Sequence, residues 1–377
     1  MLDDLSELPS ESVDFSDYYR ELAPLDTLLA DDTVSEIMVN GPNRVYAEVA
    51  GKITKSHVRF NNDEALLRVI RLLGEKVGRQ VSSAAPLLDA RMLDGSRANA
   101  VLEPVSVGGA TLTILKFSRY PLTASDMLAS GTLSPAALGF LQAAVQSHLN
   151  IVILGAAGSG KTTLLNMLSG FIGDQERIVT IEDTAEMQLH QQHVVKLESR
   201  RKPQPGEETV EIRDLVINAM RMRPDRLIVG ECRGGETLDM LQAMNTGHDG
   251  SMTTLHANSP RDAITRLETM ALMSGMVLPL LSVRRQIVSA IHLLVQMGRL
   301  SDGSRRVVKI VELLGLHGEV VTTQDIFEFV PTATDANGHI QGELQPRALR
   351  PRLLVNMTEA GVAFPPAVAA LWPEQYK

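Results

Sequence analysis

The chain has 377 residues, a formal net charge of −9, 44% hydrophobic residues and a single cysteine, Cys232. That length suggests about two domains with ample material for buried cores, while one cysteine rules out an intrachain disulfide and any four-cysteine zinc module. The whole charge imbalance sits in residues 1–33, which hold ten acids against Arg20; the remainder is neutral overall, which argues against a strong, sequence-blind nucleic-acid binder. No apolar run approaches the roughly 18 residues that a membrane helix needs. The acidic opening Met1-Leu2-Asp3-Asp4 is unlike a signal peptide. The expectation is a cytoplasmic protein.

Taken in chain order, residues 1–33 read as an acidic, flexible segment. Residues 34–40 read as a strand stopped by Gly41-Pro42, and 45–49 as a second strand that Gly51-Lys52 turns into a hairpin. The spacing of Leu66, Val69, Ile70 and Leu73 predicts a helix over 62–77. Residues 97–102 and 111–117 return to β character, so 34–118 reads as a small α+β domain. Residues 119–134, with their Pro, Thr, Ser and Gly, read as a linker, and 135–148 as a helix leading into a larger domain, 135–345. There, strands at 151–154, 177–182, 226–229, 251–255 and 293–296 alternate with helices at 161–171, 212–222, 237–245, 261–273 and 283–290. That alternation predicts an α/β fold on a parallel sheet. Residues 305–314 and 320–329 read as a closing β-meander, and the proline-bearing 346–377 as an irregular tail.

The string GAAGSGKTT carries the strongest chemical signal. It runs Gly155, Ala156, Ala157, Gly158, Ser159, Gly160, Lys161, Thr162, Thr163, and fits the phosphate-loop pattern in the right context. A short apolar strand precedes it and a helical pattern with Leu164, Leu165, Leu168 and Phe171 follows. Backbone amides and the positive end of the helix dipole would converge on phosphate. Lys161 would reach the β- and γ-phosphates, and the Thr162 hydroxyl would ligate Mg²⁺. The implied ligands are ATP and Mg²⁺.

In an open α/β sheet, ligands bind beyond the carboxyl ends of the strands. Glu182 ends one strand and would orient and deprotonate the attacking water. Glu231 ends the strand Leu227-Ile228-Val229-Gly230 and would hold the metal through water. His256 ends another, where it would sense the γ-phosphate or relay a contact to a next subunit. His248, in Thr246-Gly247-His248-Asp249-Gly250, is a second candidate. Phosphoryl transfer commonly uses an arginine supplied from elsewhere in an assembly; Arg91 and Arg97 of the small domain are candidates, as is Arg233 beside Glu231. Met220, Met222, Met270 and Met273 read as core filler, and Cys232 as a buried side chain.

Four boxes in order, GAAGSGKTT, VTIEDTAE, MRPDRLIVGECRG and TGHDGSMTTLHAN, resemble the ATPases that power type II secretion, type IV pili and type IV secretion. VSEIMVNGPNRVY, LHQQHVVKLESR, EIRDLVINAMRMRPDRLIVGE and MNTGHDGSMTTLHANSPRDAITRLETM resemble the CpaF family, the ATPases of tight-adherence (Flp) pilus assembly. The resemblance spans about residues 34–330. It implies an N-terminal sensing domain hinged to a RecA-like motor, a homo-hexameric ring, and an inner-membrane platform protein as the object moved. The chain departs from that pattern at Ser82-Ser83-Ala84-Ala85, where acids are usual, and at Leu115, where arginine is usual. It departs again at His292, an acid in the family, and at Ala156, a glycine; the Leu115 difference leaves Arg91, Arg97 and Lys116 as the arginine or lysine candidates of the small domain. The alternative within the same group of ATPases is a type IV secretion or pilus retraction motor, and three readings of other classes remain: a nucleic-acid translocase, disfavoured by the neutral body; a GTPase, disfavoured because no N-K-x-D motif is present; and a non-hydrolytic nucleotide-binding regulatory ring.

Overall fold

Alternating apolar residues build the first of two units, which meet in sequence at residue 118. The structure, a computed structural model, describes residues 16–49, 51–117, 122–200, 208–336 and 338–372. The first unit contains α1 (Ser16–Leu22), a 3₁₀ turn (Ala23–Leu25), α2 (Asp26–Ala30), β1 (Val34–Asn40), β2 (Val45–Val49), β3 (Lys52–Lys55), α3 (Asp63–Lys76), β4 (Leu87–Arg91), β5 (Arg97–Val101) and β6 (Thr111–Leu115). Its six strands form an antiparallel sheet in the order β3-β2-β1-β6-β5-β4. Asn62 caps α3 by accepting from the Ala65 amide at 2.9 Å. Leu66, Val69, Ile70 and Leu73 then share one core with Ile37, Val39, Leu112 and Ile114 of the sheet. The strand β4 escaped the sequence reading, because only Leu88 and Ala90 of its five residues face inward.

The acidic segment needs correcting as far as it is described. From Ser16 it is helical, and Tyr18, Leu22 and Leu25 are buried in the core of the first unit. These three sit at i, i+4 and i+7, an apolar stripe that the surrounding acids masked. Residues 1–15 lie outside the described residues.

The second unit contains α4 (Ala124–Ala129), α5 (Pro135–Gln146), β7 (Ile151–Leu154), α6 (Lys161–Ser169), β8 (Ile178–Glu182), β9 (Val194–Glu198), α7 (Ile212–Ala219), β10 (Arg226–Val229), α8 (Glu236–Asn245), β11 (Met252–Leu255), α9 (Pro260–Leu272), α10 (Leu280–Ala290), β12 (Leu293–Arg299), β13 (Arg305–His317), β14 (Val320–Thr334), β15 (Ile340–Pro346), α11 (Leu353–Glu359) and α12 (Pro366–Ala369). One nine-stranded sheet runs β15-β14-β13-β12-β7-β11-β10-β8-β9. From β12 to β9 every pairing is parallel, and β13 to β15 add an antiparallel wing. The two-residue period of β7 divides its side chains between two cores. Ile151 and Ile153 pack with α5 and α6 residues, Val152 and Leu154 with residues of α7 to α10.

Two boundaries differ from the sequence expectation. Residues 122–134 are not a linker. Thr123 and Asp126 form a capping box for α4, Met127 and Leu133 are buried, and Thr132 bonds to the Arg305 carbonyl at 2.9 Å. Nor is the end of the chain irregular as far as it is described. α12 packs on α5, with Pro365 and Val368 against Gly139, α11 adds Leu353, Leu354 and Met357 to the same core, and Trp372 meets Phe140 and Phe327 edge-on at ring-centroid distances of 6.2 and 5.7 Å. The prolines at 365 and 366 start α12 instead of preventing helix. Of the four methionines read as core, Met270 is buried and Met273 is 62% exposed.

At the N-terminal edge of the parallel strands, Arg226 is fully buried. Its guanidinium lies 2.5 Å from Glu176 Oε2 and donates to the Val145 and Gly250 carbonyls at 2.9 and 3.3 Å. Among the described residues, no helix is long and apolar enough to cross a membrane.

Candidate nucleotide site

The loop between β7 and α6 owes its shape to its glycines. A Cβ on Gly155 would stand 2.5 Å from Ser159 Oγ and 2.6 Å from the Met297 carbonyl oxygen, so any larger residue would push the loop off the sheet. Gly160, at φ +94°, occupies the N-cap of α6 in the left-handed region that glycine alone enters cheaply. Ala156 has no positive φ, which explains why a methyl is tolerated where the resembling family has glycine. Ala157 and Gly158 form the exposed apex, and Thr162 and Thr163 lie half-buried in the first turn of α6.

Buried groups inside the loop lack partners in a way that suits an anion. Ser159 is fully buried and its Oγ accepts and donates no hydrogen bond. Lys161, also buried, rests its ammonium on the Ala156 carbonyl at 3.1 Å and lies 3.5 Å from His256 Nδ1. Burial holds its pKa below the usual lysine range, a tendency that Glu231 opposes. A left-handed loop, an unpartnered hydroxyl and a desolvated cation at a helix N-terminus are the features that bind phosphate.

Next to this loop the parallel strands deliver their terminal side chains. Glu231, one residue beyond the Gly230 that follows β10, has Oε2 2.8 Å from Arg233 Nη2 and Oε1 2.9 Å from His256 Nε2. The histidine approach is close but poorly aligned, so that buried oxygen has no hydrogen-bond donor. An unsatisfied carboxylate oxygen of this kind fits a divalent cation. Burial and the Lys161 ammonium keep the His256 pKa below its ordinary value, with Glu231 opposing them. Arg233 also bridges to Asp183 Oδ2 at 3.3 Å, tying the end of β8 to the end of β10.

Glu182, the last residue of β8, is 3% exposed. Its carboxylate accepts from the Glu186 and Met187 amides at 3.0 and 3.1 Å. Burial nevertheless pushes its pKa up to about 7, outweighing those two amides. Room for the side chain comes from Gly230, where a Cβ would lie 3.0 Å from Glu182 Cγ. Cys232 is buried beside Thr253 and its thiol is pushed up to about 12, so it is no nucleophile at neutral pH.

Of the residues singled out by sequence, the structure brings together Lys161, Glu231, Arg233 and His256. His248 needs correcting as a contact of this loop. It precedes β11, whereas His256 follows it, and β11 runs parallel to β7. His248 therefore sits at the N-terminal edge of the sheet, roughly 13 Å of strand away from the phosphate loop. Its Nδ1 is buried there without a partner. Arg91 and Arg97 belong to the first unit, opposite each other on β4 and β5, with Arg97 Nη2 3.9 Å from Asp89. Sequence reasoning missed Arg299 and Arg305. Arg305 Nε donates to the Gly158 carbonyl at 2.9 Å. The signal was available in the strand-end rule, but β12 extends to Arg299, three residues past the predicted end at 296.

Such a site defines a phosphate-loop nucleotide-binding protein built on an α/β sheet. The chain belongs to the type II/IV secretion system protein family, which it matches over residues 19–337. It is 34% identical over 302 residues to a Mycobacterium tuberculosis protein whose name places it in conjugal transfer, covering 78% of this chain and 85% of that one. It is 33% identical over 322 residues to the type IV secretion system protein PtlH of Bordetella pertussis, covering 78% and 93%. Among solved structures, the pilus retraction motor PilT with bound ADP is similar with a TM-score of 0.56 at 19% identity, covering 89% of this chain and 86% of that one. That likeness shows the fold, a RecA-like unit preceded by a smaller α+β unit.

Proposed function

We propose that the chain is an ATP-hydrolysing motor of a pilus or secretion machine. The observation that carries this reading is the buried Lys161 in its glycine loop, with Glu231 and His256 converging on it from neighbouring strands. The loop amides and Lys161 hold the phosphates, and the Thr162 hydroxyl and Glu231 are the residues that would hold Mg²⁺. Bound there, Mg²⁺ would neutralise charge on the β- and γ-oxygens. Glu182 is the base. A carboxylate with a pKa of about 7 is matched to taking a proton from water near neutral pH. Its Oε1 takes both the Glu186 and Met187 amides, which leaves Oε2, 3.4 Å from the Met187 amide, as the oxygen for the water's proton. His256, held neutral, donates its ring N–H to a γ-phosphate oxygen and passes the presence of that group to Glu231. Arg91 or Arg97 is the candidate for an arginine that completes the site within an assembly.

The finer reading is a CpaF-type ATPase of tight-adherence (Flp) pilus assembly. It works as a homo-hexamer at the cytoplasmic face of the inner membrane, on platform proteins and without direct nucleic-acid contact. Hydrolysis would change the relation of the two units and the ring would convert that change into work. Residues 122–134 are packed into the second unit, so they are not the hinge. A type IV secretion motor is the second reading, favoured by relatives named for conjugal transfer and type IV secretion. Phosphate release by the purified chain tests the activity: Lys161→Ala should abolish it, and unchanged turnover in that variant rejects the site. Deleting the gene and scoring external pili against export of secreted substrates separates the two machines. A solution mass near six chains in the presence of a slowly hydrolysed ATP analogue supports the ring; a persistent monomer opposes it.

A further inference from the structure

Beyond the end of β7, the β12–β13 hairpin lies against the phosphate loop. Gln296 of β12 pairs with Leu154, the last residue of β7, and Met297, Gly298 and Arg299 continue past it. Those residues therefore run alongside the loop. The Met297 carbonyl oxygen stands 2.6 Å from the position of a Gly155 Cβ, and Arg299 Nη1 3.7 Å from that of a Gly158 Cβ. Arg305 Nε donates to the Gly158 carbonyl at 2.9 Å. Arg299 and Arg305 face each other in the hairpin register.

Sheet order decides which part of a nucleotide the hairpin meets. β7 lies between β11 and β12. Lys161, His256, Glu231 and Arg233 gather on the β11 and β10 side. The hairpin stands on the other side of the loop, away from the groups assigned to the γ-phosphate. A triphosphate with its γ end at Lys161 thus leads its α-phosphate toward Arg299.

We propose that Arg299 binds the α-phosphate end of the nucleotide and that Arg305 is a positioning residue, fixing the loop apex through the Gly158 carbonyl. The proposal rests on the ATP reading above. A guanidinium suits the role because it meets phosphate oxygens with two parallel donors. Contacts made equally in the ground and transition states raise affinity without raising kcat, so the two ends of the nucleotide are separable by experiment.

The test uses the full chain as wild type, Arg299→Ala, Arg299→Lys, Arg305→Ala and Arg305→Lys. It measures affinity for ADP and for a non-hydrolysable ATP analogue, together with kcat and KM for ATP. Arg299→Ala should weaken both nucleotides by the same factor, about tenfold, with kcat kept within about twofold. Arg299→Lys should recover part of the loss. Arg305→Ala should raise KM more than it lowers kcat, and Arg305→Lys, which keeps a donor, should restore it in part. Unchanged ADP affinity in Arg299→Ala overturns the proposal. So does a loss confined to the ATP analogue, which would move Arg299 to the γ end. Wild type that binds neither nucleotide rejects the ATP reading and this inference together, whereas wild-type binding with an unaffected Arg299→Ala rejects the hairpin alone.

Discussion

Glu182→Gln should make the protein more stable and at the same time inactive. Glu182 is 3% exposed, and burial raises its pKa from 4.5 to about 7. The folded chain therefore binds a proton more tightly than the unfolded chain, and this group's effect turns against folding as pH rises from 4.5 through 7. With 1.36 kcal/mol per pKa unit, the full penalty above pH 8 is about 3 kcal/mol, of which less than about 1 kcal/mol is present at pH 5. Glutamine cannot ionise, and its amide oxygen can still accept from the Glu186 and Met187 amides. The stability difference between variant and wild type should therefore widen by about 2 kcal/mol between pH 5 and pH 8. Urea unfolding of both proteins at several pH values measures it. A difference that does not change with pH would refute the reasoning, because it would mean that the carboxyl is not forced to ionise in an apolar site. In the same variant, ATP turnover should fall by at least about 10²-fold with nucleotide binding retained, as loss of a general base requires.

Three further outcomes follow from the packing. Glu176→Ala leaves the fully buried Arg226 without its carboxylate, and should cost about 3–5 kcal/mol in denaturant unfolding; a loss below about 1 kcal/mol would show that the two backbone carbonyls suffice. Trp372→Ala empties the edge-on cluster with Phe140 and Phe327 and should cost about 3–5 kcal/mol, despite lying where the sequence reads as a tail. A change within experimental error would mean that the C-terminal helices are not part of the folded unit. Gly155→Val should abolish nucleotide binding while leaving the first unit's fold intact, since its Cβ meets Ser159 Oγ and the Met297 carbonyl at 2.5 and 2.6 Å; normal affinity in equilibrium binding would contradict the loop geometry.

Much of the second unit was legible because buried parallel strands are short apolar runs with chemistry at their ends. β7, β10 and the start of β12 needed no tertiary information, and Lys161, Glu231 and His256 follow from strand-end position alone. What stayed hidden depended on partners distant in sequence. β9 reads as neither alternating nor fully apolar, because its five residues are only partly covered at the sheet edge. The C-terminal helices are short and proline-flanked, and they gain their stability from α5 and the aromatic cluster. His248 was named as a nucleotide contact although it precedes β11, and the four residues of that strand put it at the edge of the sheet opposite His256. Arg299 escaped because the strand was ended at 296, three residues short of it, and Arg305 reaches the loop only through the register of a hairpin, which no local pattern encodes.

The central claim is that the loop at Gly155–Thr163 holds a triphosphate whose terminal bond the neighbouring acid breaks. Rapid mixing of excess protein with radiolabelled ATP and Mg²⁺, followed by acid quench, tests it in a single turnover. Wild type should convert bound ATP to ADP and phosphate, Glu182→Gln should bind ATP and leave it intact, and Lys161→Ala should do neither. Wild type that binds ATP stoichiometrically and returns it uncleaved would contradict the account.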